Sequence, residues 1–217
     1  ILARPVFDTS SLNETVSNIL SDIKNRGDKA VLEYEEKFDK VRLSTLIVTQ
    51  DEIDSSAQRL SDELKSAIHT AAANIEKFHS AQKLEPKKIE TTKGVICWQK
   101  SVGIEKVGLY IPGGTAPLFS TVLMLAVPAK IAGCREIILC TPPDKEGNIN
   151  PAILFAAKVA GVSKIFKVGG VQAIGAMAYG TESIPKVYKL FGPGNQYVTA
   201  AKQLVSLKDV DKDMPAG

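Results

Sequence analysis

The sequence predicts an α/β protein in which a parallel sheet built from βα repeats follows a helical region ending in a β-hairpin. Three observations carry that prediction. From about residue 11 to 82, apolar residues recur at three- and four-residue spacing, the pattern of amphipathic helices. After Lys106 the pattern changes to short strand-like runs at 107–111, 136–140, 164–168 and 187–191, whose starts lie 29, 28 and 23 residues apart. Each gap holds a helix-length segment, and strands alternating with helices build a parallel sheet. Finally, three of those four runs end in a glycine-containing turn that opens a helix.

Taken in order, Ser11 and Glu14 read as a capping box ahead of Leu12, Val16, Ile19, Leu20 and Ile23, and Gly27 stops that helix. A second helix carries Ala30, Val31, Tyr34 and Phe38. Thr49 with Glu52 forms another capping box. The longest helix spans roughly 62–81, with Leu64, Ala67, Ile68, Ala71, Ile75 and Phe78 on one face. Strands at 88–92 and 95–101 joined at Lys93-Gly94 make the hairpin. A boundary at 102–105 divides the chain into residues 1–105, helices plus hairpin, and residues 106–217, the βα repeats. The first two strands of the second part are almost wholly apolar, as strands covered on both faces are. Asn150-Pro151 supplies an N-cap and first-turn pair, and Gly161 a stop.

Composition narrows the function. Hydrophobic residues make 44% and charged residues 24% of 217, so a sizeable core needs no disulfide or metal staple. A net charge of +3 with no basic stripe argues against nucleic acid. Cys97, Cys134 and Cys140 are odd in number and widely spaced, which points to a reducing cytoplasm. Residues 107–129 carry no charge, but Pro112, Gly113, Gly114, Pro117 and Pro128 interrupt them. A spanning helix needs about 20 continuous apolar residues, so this stretch reads as strand, turn and helix and no membrane partner is expected. The chain opens on Ile1 rather than Met and closes on Asp213-Met-Pro-Ala-Gly217 in mid-course, so both ends are expected to be cut from a longer polypeptide.

The glycine turns locate a candidate ligand site. They are Tyr110-Ile-Pro-Gly-Gly114, Val168-Gly-Gly-Val-Gln172 and Phe191-Gly-Pro-Gly-Asn195. In a parallel sheet all three lie at the carboxyl edge, where ligands bind and helix N-termini face phosphates. Tyr110, Gln172 and Asn195 are expected to point into one crevice. Any one junction alone is more simply a tight connection, with Asn195 a cap, Gln172 an exposed first-turn residue and Tyr110 a core residue; three on one edge favour a binding site. No G-x-G-x-x-G is present, so these residues by themselves indicate a nucleotide-sized crevice and no reaction.

Residues 107–129, Ile131-Ala-Gly-Cys134, Val168-Gly-Gly-Val-Gln-Ala173, Phe191-Gly-Pro-Gly-Asn195 and Asp213-Met-Pro-Ala-Gly217 closely resemble the histidinol dehydrogenase family. The resemblance is strong from about Lys106 onward and fair from Arg4-Pro-Val-Phe-Asp8 through the helices. It implies incomplete Rossmann-like domains lacking the G-x-G-x-x-G loop, and oxidation of L-histidinol to L-histidine through histidinal in two hydride transfers. It also implies two NAD and one zinc per site, and a cytoplasmic homodimer. The family's NAD-contacting tyrosine, glutamine and asparagine fall on Tyr110, Gln172 and Asn195, with Pro112, Gly113 and Gly114 shaping the pocket. Its zinc ligands and catalytic Glu-His pair fall past Gly217, so no catalytic and no metal residue is expected in this chain, which would be the amino-terminal half.

The remaining residues offer no substitute. His69 and His79 sit ten residues apart on one predicted helix, about 15 Å along its axis, too far for one ion with bonds of about 2 Å. Cys134 and Cys140 read as core; Cys97 falls in the hairpin. Glu33, Glu35 and Glu36 read as a solvated helix face, with no catalytic carboxylate pair expected. Two competing readings stay open: a relative on the same scaffold oxidising another small alcohol such as a sulfonated diol, and a non-catalytic nucleotide-binding or dimerisation module. A severed half would expose an apolar face where the other half packs.

Overall fold

A computed structural model describes residues 10–114 and 116–213. Five parallel strands form its centre: β3 (Lys106–Tyr110), β4 (Glu136–Thr141), β5 (Lys164–Lys167), β6 (Lys189–Phe191) and β7 (Asp211–Lys212), in the order β5-β4-β3-β6-β7. The four expected strands are present; the fifth has two residues, too few to leave a hydrophobic pattern. Ahead of them come helices α1 (Ser10–Arg26), α2 (Asp28–Tyr34), α3 (Gln50–Ser55) and α4 (Asp62–Ser80), then the antiparallel hairpin β1 (Lys88–Thr92) and β2 (Val95–Trp98). Helices α5 (Phe119–Ile131), α6 (Pro151–Ala160), α7 (Gly170–Tyr179) and α8 (Gln196–Ser206) connect the parallel strands.

The sheet is buried on both faces because apolar residues alternate between two cores. Tyr110, Ile138, Cys140, Phe166 and Leu190 meet α1, α2, α7 and α8. Val107, Leu109, Ile137, Leu139 and Ile165 meet α4, α5 and α6. The early helices therefore cover both faces of the later sheet. Helix α5 leaves β3 on one face and α8 leaves β6 on the other, although β3 and β6 are neighbours. Between such strands the connections diverge and open a crevice at the carboxyl edge.

Local signals mostly fold as expected. Thr49 and Glu52 make both capping-box bonds, and Asn150 Oδ1 accepts from Ala152 N at 2.9 Å. Ser11 is different: it lies inside α1, which begins earlier than its apolar series suggests, so the expected box with Glu14 does not mark the helix start. The second helix ends in a wide π turn, Glu35–Asp39. Cys140 is buried, Cys134 half-buried and Cys97 exposed. The hairpin exposes Ile89, Val95, Ile96 and Trp98, near an exposed Phe78 and Leu84 in sequence. No helix among the described residues is long and apolar enough to cross a membrane. The motifs at residues 4–8 and 214–217 lie outside the described residues.

Candidate nucleotide cleft

A cleft of about 1040 Å³ opens at the carboxyl edge of the sheet, and Tyr110, Gln172 and Asn195 all line it. Pro112, Gly113, Gly114 and Thr141 form further wall, and Arg59 and Asp39 add charge. Each of the three polar residues also has an internal partner, which decides what it offers a ligand. Tyr110, at the end of β3, accepts from Gly170 N at 3.1 Å. Burial, the largest cause, pushes its phenol up to about 12, so its O–H stays available as a donor. Asn195 is the N-cap of α8: its Oδ1 accepts from Tyr197 N at 3.0 Å and Val198 N at 3.1 Å. That leaves its exposed amide nitrogen as a donor. Gln172 is only 1% exposed, so it is not the solvated first-turn residue of the simpler reading. Its Nε2 donates to Glu35 Oε1 at 2.9 Å and Asp39 Oδ2 at 3.3 Å, leaving Oε1 as an acceptor.

One of these partners corrects the sequence reading. Glu35 does not belong to a solvated face; it is fully buried. It and Asp39 meet on one amide nitrogen. Glu35 Oε1 also accepts from Gly169 N at 3.0 Å, tying the turn before α7 to the π turn. Burial pushes the Glu35 carboxyl up to about 8, with the neighbouring Asp39 charge adding to it and the bonds from Gln172 and Gly169 opposing. Burial raises Asp39 as well. A local signal for Glu35 existed: it follows the buried Val31 by four residues and so falls on the same helix face.

The turn before α8 is held differently. Gly192 N donates to Asp213 Oδ2 at 2.8 Å, and the buried Lys202 Nζ donates to Gly192 O at 2.8 Å and pairs with Asp213. No group of three His, Cys, Asp or Glu among the described residues is placed to hold a metal. His69 stands edge-on to Phe155 with centroids 5.5 Å apart, and His79 Nδ1 meets Gln82 Oε1 at 2.7 Å, so the two face separate partners.

Residues 2–217 match the family model described as histidinol dehydrogenase. The chain is 73% identical over its whole length to histidinol dehydrogenase from Bacteroides thetaiotaomicron, covering 51% of it, and 54% identical to that from Escherichia coli, covering 50%. A crystal structure of histidinol dehydrogenase from Elizabethkingia anophelis superposes with a TM-score of 0.94 at 56% identity, over 99% of this chain and 49% of that one. The chain spans about half the length of the curated relatives it matches.

Proposed function

Because the chain belongs to the histidinol dehydrogenase family, we propose that it holds NAD for the oxidation of L-histidinol through L-histidinal to L-histidine. One observation carries the reading: donor, acceptor and donor, from Tyr110, Gln172 and Asn195, converge on one cleft at the diverging edge of the parallel sheet. The residues fit the cofactor. The cleft is at the upper end of small-molecule pockets, and α7 and α8 begin at its wall, where Gln172 and Asn195 stand. Pro112, Gly113 and Gly114 line the same cleft. When bound, NAD supplies the hydride acceptor; this chain's residues bind and orient it.

The described residues do not fit zinc, so no step here runs through a metal. We assign the zinc ligands and the proton-transfer groups to the part of full-length relatives that this chain does not span. The apolar hairpin face, with Trp98 57% exposed, supports assembly as a homodimer or with that remaining part. A cytoplasmic setting fits three free cysteines.

The test is kinetic, in a full-length enzyme carrying this chain. Gln172→Ala and Asn195→Ala should each raise the KM for NAD about tenfold, the worth of one lost polar contact, with a smaller change for histidinol. Equal effects on both substrates would remove the assignment.

A further inference from the structure

Asp39 lines the cleft and its neighbour Glu35 is fully buried, yet nothing in the proposed chemistry uses the pair. Both carboxyls take a hydrogen bond from the same Gln172 Nε2. Glu35 Oε1 additionally receives Gly169 N, while its Oε2 is buried with no hydrogen-bond partner among the described residues. A charged oxygen left bare in the interior costs far more than a neutral one. No ion pair among the described residues joins a lysine or arginine to either carboxyl. The titratable groups that feel the pair's charge from the packed elements are Tyr110 of β3 and Cys140 of β4, both pushed upward chiefly by burial and neither cationic. From α7 the pair meets only the Gln172 amide and the N–H ahead of it.

We propose that Glu35 and Asp39 together keep one proton and act as the positioning element for Gln172, turning its nitrogen toward the acids and its Oε1 toward the ligand. With the proton on Glu35 Oε2, which has no partner, Glu35 Oε1 and Asp39 Oδ2 both face the amide as acceptors, and two acceptors select its N–H₂ end. The oxygen end is thereby committed to the cleft wall beside Gly170. That subsite then takes a hydrogen-bond donor, a ligand hydroxyl or amide N–H, and refuses an acceptor. The inference rests on the reading of Gln172 as a nucleotide contact.

The proton makes the device pH-dependent. Glu35 holds its proton to about pH 8 in the fold against an ordinary value of 4.5. Between those values the folded chain binds a proton the unfolded chain has released, so this group's contribution to stability falls as pH rises through that window. Above it both acids are charged and repel, so the pair spreads and Gln172 loses one of the two anchors on its nitrogen.

The experiment has two readouts on this chain. In NAD titrations, affinity should fall about tenfold from about pH 7 to about pH 9.5, the worth of one polar contact. Glu35→Gln, which keeps the bonds at Oε1 without the titration, should flatten that profile, and Gln172→Ala should bind weakly at every pH. Independently, without NAD, the Gln172 side-chain amide signals in nuclear magnetic resonance should shift with the Glu35 carboxyl in the native chain and stay still in Glu35→Gln. Amide signals that ignore pH, or move alike in both chains, overturn the positioning role. Amide signals that track Glu35 while NAD fails to bind, or binds Gln172→Ala as well as the native chain, support the acid pair and remove the nucleotide reading instead.

Discussion

Helices α7 and α8 start in the same way on paper and differently in space. Each follows a strand and a glycine turn, and each brings an amide side chain to the cleft. Asn195 is exposed and held by the backbone two and three residues ahead of it. Gln172 is buried and held by Glu35 and Asp39, more than 130 residues away in the chain. A local cap orients its residue through one helical turn. A distant acid pair orients its residue only when the π turn, the sheet and α7 are all assembled. Loss of the Asn195 side chain is therefore expected to act within the first turn of α8, and loss of the Gln172 side chain to reach the π turn as well.

The backbone of the α8 turn is the exception, and breaking it should give the largest effect. Gly192 has φ +130°, and a methyl there would overlap the Tyr110 carbonyl. Gly192→Ala should lose about 3 kcal/mol or more, combining a conformation L residues avoid with a clash against backbone. Urea denaturation measures it; a loss under about 1 kcal/mol would mean that the turn relaxes freely.

A smaller pair of changes sharpens the contrast at Asn195. Asn195→Ala removes the cap and should cost about 1 kcal/mol. Asn195→Asp keeps the cap oxygen and loses the nitrogen donor, so stability should hold while NAD binding weakens. If stability and binding fall together in both variants, Asn195 is a cap and nothing more.

The sheet was legible because its strands carry their own evidence. Strands buried on both faces must be apolar throughout, and Val107, Leu109, Ile137 and Leu139 are. The Thr49–Glu52 and Asn150–Pro151 starts were legible because their partners lie within one turn. The placement of Tyr110, Gln172 and Asn195 at one edge followed from parallel topology. What Gln172 touches did not: spacing from Val31 places Glu35 on the buried helix face, but its partners Gly169 and Gln172 lie more than 130 residues away. β7 left no pattern because two residues cannot.

Hydrogen exchange of the chain with and without NAD tests the central claim most directly. The account predicts slowed exchange at the starts of α7 and α8, residues 169–173 and 192–198, with the β1–β2 hairpin unchanged. No slowing at either helix start, or slowing confined to the hairpin, would contradict a nucleotide cleft at the carboxyl edge of the sheet.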